Sequence, residues 1–373
     1  MFFKEIVGQE DIKHRLIRSV KEQRISHAQL LAGPEGSGKL ALAIAYAQYI
    51  SCRNPQENDS CGVCPECKKY QKLIHPDLHF VFPIVKSSKF KSSVSDNYLK
   101  EWREMVLSNP YFNLDQWLNT IGAENAQGMI YTEESDQIIR KLNLKTFEAE
   151  YKVMIIWMPE KMNPVTANKL LKMIEEPPAK TLFLLVSENE SQILGTIRSR
   201  TQLLNIPPIA EDSLKKALET HPDIAGKDLN SIINLSNGNY LRALSLLNPD
   251  EQTLYYLEKF KEVMRLSYSR KVPDLFIWAN EISAIGREKQ KAFLLYCLKQ
   301  IRENFIANAR TPEISYMSSE ESEFSARFSP FINEKNVISI SQEFEKSYLH
   351  VSMNGNPKII FLDMALKITK LIR

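Results

Sequence analysis

Two groups of residues in this chain have types and spacing that could do chemistry. The first is Cys52, Cys61, Cys64 and Cys67, four of the chain's five cysteines, arranged as C-x₈-C-x₂-C-x₂-C. Two-residue spacing lets neighbouring thiolates converge on one ion, and Gly62 and Pro65 supply tight turns between them. Four thiolates with no open position describe a closed structural site, for which Zn²⁺ is the expected ion. Free or disulfide-bonded thiols, or an iron–sulfur cluster, are the competing readings. His75 and His79 lie nearby at a predicted strand entrance and read as structural, while Cys297, within AFLLYCLKQI, reads as the core of an apolar helix.

The second group is GPEGSGKL, Gly33 to Leu40. In the pattern G-x-x-x-x-G-K, Gly33, Gly36, Gly38 and Lys39 could cradle phosphates with backbone N–H groups and an ammonium. The next position should be Ser or Thr, whose hydroxyl holds Mg²⁺, and here it is Leu40. A working loop of this kind also needs an acidic residue for the metal and a group to position water. The strand where an acidic pair should follow reads KVMIIWMPEKM and ends in Trp157 and Met158; the nearest carboxylate is Glu160, beyond Pro159. Two independent losses in one site predict that the Mg²⁺ site is lost and that metal-dependent hydrolysis is absent. Whether ATP still binds to this degenerate loop stays open.

The elements around the loop agree with the motif. Ile12, Leu16 and Val20 share one face of a helix expected over Asp11 to Arg24, His27 to Ala32 reads as a short apolar strand, and LALAIAYAQYI reads as a buried helix. Strand-like runs at Leu78 to Val85, Lys152 to Met158, Thr181 to Ser187 and Thr201 to Ile206 alternate with helical segments. Asn163 is a plausible N-cap for one such helix, with Pro164 at its first position, and this helix ends before Pro177 and Pro178. Alternation of this kind predicts a parallel sheet covered on both faces. Residues 86–128 look irregular, with a Ser/Lys-rich start and an aromatic middle of Trp102, Tyr111, Phe112 and Trp117, and read as an insertion of unknown role. Its lysines read as a solvated loop. After Ile206 to Pro208 the strand signal stops, and helical periodicity runs through Leu214, Leu218, Ile232, Ile233 and Leu241.

Composition excludes little. The chain has 373 residues, long enough for two or three domains, and its 48 Lys+Arg against 45 Asp+Glu announce neither a nucleic-acid nor a membrane surface. Charges throughout the first dozen residues leave no signal-peptide core, so a cytoplasmic protein is expected. The longest apolar runs, VMIIWM and LFLLV, are far short of the roughly 20 residues of a membrane helix. No internal repeat is evident.

Six stretches together carry a resemblance: IVGQE (Ile6 to Glu10), RISHAQLLAGPEGSGK (Arg24 to Lys39), the four cysteines, ANKLLKMIEEPP (Ala167 to Pro178), IRSRT (Ile197 to Thr201) and GNYLRAL (Gly238 to Leu244). In these the chain resembles the clamp-loader family of bacterial DNA polymerase III, within the AAA+ class. The resemblance implies an α/β P-loop domain over residues 1–206, with a zinc-binding insertion at 52–67 and the unplaced one at 86–128. A small helical lid over 207–250 and an all-α collar over 251–373 would follow, the collar matching less clearly apart from its NGNP turn, Asn354 to Pro357.

Within that family, motor subunits keep a complete loop and an Asp-Glu pair, whereas Leu40, Trp157 and Met158 fit the non-motor kind. The family's Ser-Arg-Cys motif stands here as Ser199-Arg200-Thr201, and the resemblance implies that Arg200 reaches the ATP of a neighbouring subunit. Arg242 falls where active relatives keep a second sensor arginine, and either that role or a solvated one stays open. The implied partners are gamma/tau-type motor and delta-type subunits in a hetero-oligomeric ring, with the sliding clamp and primer-template DNA reached through the complex. The rival readings are an active AAA+ ATPase of motor type using Glu160, and a DNA-binding zinc protein.

Overall fold

The strand runs, rich in Leu, Ile, Val and Phe, form β1 (Ala28–Ala32), β2 (Leu78–Val81), β3 (Lys152–Trp157), β4 (Thr181–Ser187) and β5 (Gln202–Asn205) in the computed structural model. The structure describes residues 1–87, 89–123, 126–224, 229–247, 251–309 and 317–372. All pairings are parallel, in the order β2-β3-β4-β1-β5. The first strand in sequence therefore lies inside the sheet, with Leu31 opposite Val186 on one side and Leu204 on the other. The loop leaving β1 emerges at the carboxyl edge of the sheet, where open α/β sheets place their ligands.

Side chains alternate between two buried faces, as a covered parallel sheet requires. Leu31, Val153, Ile155, Leu182 and Leu184 pack with the helices Glu10–Lys21 and Lys39–Ser51. Leu30, Met154, Ile156, Phe183 and Leu185 pack with residues of the helices Thr132–Asn143 and Pro164–Glu175. Ala41, Ala43, Ala45 and Ala47 are buried along the helix Lys39–Ser51, and their small size lets it lie close to its neighbours. Asn163 caps the helix Pro164–Glu175 by accepting the Val165 N–H, as its sequence predicts.

Two expectations need correction. The run from Leu78 stays in the sheet only as far as Val81, and Pro83 is the reason, because it has no N–H to continue a ladder; beyond it Ile84 makes a single antiparallel bridge with Met129. The insertion is not irregular: it contains the helices Leu99–Ser108 and Leu114–Thr120, the second closed by an Asn113/Gln116 capping box. Helices this short draw stability from tertiary burial rather than from propensity, so their periodicity is faint in sequence. Trp102 and Trp117 are fully buried, Trp102 stacks on Phe82 at 4.2 Å, and Trp117 Nε1 donates to Pro83 O at 2.7 Å.

The chain divides into two compact units, Met1–Leu244 and Ser245–Arg373. The first includes the sheet and the helices Glu211–Glu219 and Leu229–Ser236, which follow β5. The second is helical, from Glu251–Tyr268 to Pro357–Leu371, around Phe260, Trp278, Phe293, Phe344 and Phe361. Cys297 is fully buried in this core. Its NGNP turn has Asn354 at φ 64°, and Asn356 caps the last helix with Pro357 at the first position. Among the described residues, no helix is long and apolar enough to cross a membrane.

Candidate functional site

The glycine loop runs from the end of β1 into the helix Lys39–Ser51, the strand–loop–helix order that phosphate binding requires. Gly36 and Gly38 have φ of 70° and 85°, a left-handed conformation that a side chain would strain. Close packing adds a second reason: a Cβ on Gly36 would lie 1.8 Å from Asn239 Oδ1, and one on Gly33 would lie 2.1 Å from Ile206 O. Asn239 Nδ2 also donates to Glu35 at 3.2 Å, and the Tyr240 N–H donates to Gly36 O at 3.2 Å. The loop is thus clasped by the start of the helix Tyr240–Leu247.

Lys39 is turned inward. Its Nζ donates to Pro34 O and to Ser37 Oγ of its own loop, and the residue is only 5% exposed. Burial lowers the lysine's pKa, and the charges of Glu188, Glu160 and Glu35 oppose that shift. Glu188 follows β4, and burial pushes its carboxyl up to about 7 although Lys39 pulls it down. Glu160 Oε1 accepts the Glu188 N–H at 3.0 Å. The acidic side chains of Glu188, Glu160 and Glu35 thus offset part of the charge that Lys39 presents to the loop.

Leu40, Trp157 and Met158 are 5%, 3% and 6% exposed and share one apolar core with the insertion's Trp102, Phe112 and Trp117. None of them carries an oxygen for a metal. Trp157 packs on Trp102 at 5.3 Å and on Phe112 at 5.1 Å between ring centroids. Tyr111, beside Phe112, reaches the loop itself: its hydroxyl accepts the Val7 N–H at 3.0 Å and lies 3.1 Å from where a Gly38 Cβ would stand. Its ring meets Tyr240 edge-on at 4.8 Å, and burial pushes its phenol up to about 12 against the pull of the Val7 bond.

Sequence reasoning did not place Tyr111, Asn239 or Glu188 at this site. No local signal marks them, since each reaches the loop only through the fold. The aromatic middle of the insertion was a hint, because a solvated loop has little use for two tryptophans.

Arg200 lies between the one-turn helix Gly195–Arg198 and β5. Its Nε donates to Glu175 at the end of the helix Pro164–Glu175, and Nη1 donates to Thr196 O at 2.9 Å. Its side chain is 35% exposed. Arg242 is exposed, and its backbone N–H donates to Asn239 Oδ1 at 3.0 Å, which helps to start its helix.

The sulfurs of Cys52, Cys61, Cys64 and Cys67 all lie within 4.8 Å of one another. Tetrahedral Zn²⁺ with bonds of about 2.3 Å needs sulfurs about 3.8 Å apart, and Cys61 and Cys67 stand at 3.9 Å. Gly62 turns at φ 74°, and Pro65 opens the helix Pro65–Gln71 that carries Cys67. Backbone N–H groups of Cys61, Cys64 and Cys67 point at the sulfurs of Cys52, Cys61 and Cys64, at 3.3 to 3.5 Å. Donors of this kind favour thiolates. Burial pushes the Cys67 thiol up, so its ionisation needs a cation beside it. These four residues could hold a metal such as zinc; among the described residues, His75 and His79 are not part of the cluster.

The family described as "DNA polymerase III, delta subunit" matches residues 8–210. The chain is 26% identical over 280 residues to DNA polymerase III subunit delta' of Escherichia coli (strain K12), covering 75% of this chain and 70% of that one. It is 28% identical over 236 residues to subunit delta' of Bacillus subtilis (strain 168), covering 63% and 58% of the two chains. Subunit tau of the same organism is 25% identical over 251 residues, covering 66% of this chain and 37% of that one.

Proposed function

The chain belongs to the DNA polymerase III delta subunit family, and from that premise we propose that it is a non-hydrolysing, delta prime-type member of the clamp loader. In this reading it sits in a hetero-oligomeric ring beside gamma/tau-type motor and delta-type subunits. The ring opens a sliding clamp and places it on primed DNA using ATP bound to its motors. Residues 1–206 carry the P-loop fold, 207–250 act as lid and 251–373 as collar. Arg200 serves the ATP of a neighbouring subunit, and the four cysteines hold a structural Zn²⁺.

The observation that carries the reading is the apolar burial of Leu40, Trp157 and Met158 where Mg²⁺ ligands are needed. Metal-assisted phosphoryl transfer requires the ion to neutralise charge on the transferred group and to orient it, and a Leu–Trp–Met wall does neither. Glu160, the carboxylate on which an active site would have to rely, gives Oε1 to the Glu188 N–H and leaves only Oε2, too little to replace both a hydroxyl and an acidic pair.

The test is steady-state ATP turnover by the isolated chain with Mg²⁺. Background turnover is expected, and Leu40→Thr alone should not raise it, since the acidic pair is missing as well. Turnover that disappears in Lys39→Ala would overturn the proposal in favour of an active ATPase. Ring membership is checked separately by co-purification, in which motor subunits of the same complex should travel with this chain.

A further inference from the structure

The insertion at 86–128 reaches the site at two points, of which one is the glycine loop itself. Phe112 lies against Trp157, at the end of the strand that would carry the acidic pair, and Tyr111 lies against Gly38 at the start of the loop's helix. Tyr111 is 6% exposed and held by three contacts: by the Val7 N–H on its hydroxyl, by Gly38 beside it, and by Tyr240 in an edge-on ring contact. Asn239, next to Tyr240, closes over Gly36, and Lys39 is satisfied by its own loop. A phosphate loop that binds from solution needs its N–H groups and lysine free to face the ligand. Here the lysine is already held by the chain, and the side chains of Asn239 and Tyr111 stand against Gly36 and Gly38.

We propose that the insertion is a built-in occupant of the nucleotide cleft, with Tyr111 as its plug, so that the loop is kept closed without nucleotide. This rests on the reading of the chain as a non-hydrolysing member of the ring. It gives that reading a physical cause beyond lost ligands: Leu40, Trp157 and Met158 are apolar because they form the floor on which the insertion packs. The consequence is a ring position whose shape does not follow the nucleotide cycle of its neighbours.

The experiment is a titration of the full chain with a fluorescent ADP in the presence of Mg²⁺. Wild-type protein should show no saturable binding up to about 1 mM. Tyr111→Ala should bind at least tenfold more tightly than wild type, and adding Lys39→Ala should remove the gain. Tyr111→Phe keeps the ring and should behave as wild type. Saturable binding by the wild type at micromolar concentration overturns the plug, as does a Tyr111→Ala protein that melts cooperatively and gains no binding. Should Tyr111→Ala not fold, hydrogen exchange on the wild type decides: Val7 should be protected equally with and without 1 mM ADP, and a change on adding ADP counts against the proposal. ATP turnover by the wild type would remove the non-hydrolysing reading itself, which separates the two failures.

Discussion

Replacing Arg200 by Ala is expected to leave the chain folded and the ring assembled while slowing ATP turnover at the one site that Arg200 serves by about 10³-fold or more, which shows as a sharp fall in the turnover of the complete complex. The residue's surroundings allow both a structural and a catalytic reading, and magnitudes separate them. In the isolated chain, Arg200 is partly exposed and held by Glu175 and the Thr196 carbonyl. An exposed ion pair of this kind stabilises by about 0–1 kcal/mol. If that were its whole role, Arg200→Ala would move the melting temperature by a few degrees at most and leave turnover alone. The same weakness makes the pair easy to exchange for a phosphate presented by a neighbour. A guanidinium on the transferred group is worth about 10³ to 10⁵ in rate, well outside what loss of the surface pair could produce. Arg200→Lys should rescue poorly, because an ammonium lacks the planar fork. Unchanged turnover, with clamp and primed DNA present, in a fully assembled Arg200→Ala ring would leave this subunit a scaffold only.

The second large effect concerns the cysteine cluster. Protein purified without chelator should carry about one Zn²⁺ per chain, and stripping it should lower the stability of the sheet-containing unit. A ligand that binds only the folded state contributes about 4 kcal/mol when its free concentration is 1,000 times its Kd. For a domain of this size that corresponds to a fall of roughly 10 °C in Tm. Cys61→Ser is the cleaner variant, since Cys61 is half-buried and its loss removes a ligand without opening a large void. The fold should survive, because the sheet and its two covering layers do not pass through the cluster. Metal-free protein with four reactive thiols and an unchanged Tm would refute the assignment.

Within the loop and the cluster, the residues that must meet are close in sequence. The cysteines converge through turns at Gly62 and Pro65, and the loop is set by β1, its glycines and the helix that follows. Asn163 and Pro164 likewise start their helix by side-chain and ring chemistry confined to one turn. For these features the spacing of residue types is enough, because a handful of backbone dihedrals decides the geometry. The parallel, doubly covered sheet is legible for a related reason: strands buried on both faces must be apolar throughout.

What the amino-acid sequence determined by itself, then, is a glycine loop followed by Leu40 in place of a hydroxyl residue, four cysteines at metal-binding spacing, and alternating strands and helices. The tertiary structure alone decided what surrounds them. The strand order seats β1 between β4 and β5, which brings Glu188 into the charge environment of Lys39. Tyr111 reaches Val7 across 104 residues, and Asn239 reaches Glu35 across 204. The same holds for the insertion, whose helices of 10 and 7 residues are stable only as a layer over Phe82 and Trp157. The reason is that burial and charge pairing depend on distance in space, which periodicity and spacing do not encode. The closed state of the loop is therefore a property of the packed chain and is written in no single stretch of it.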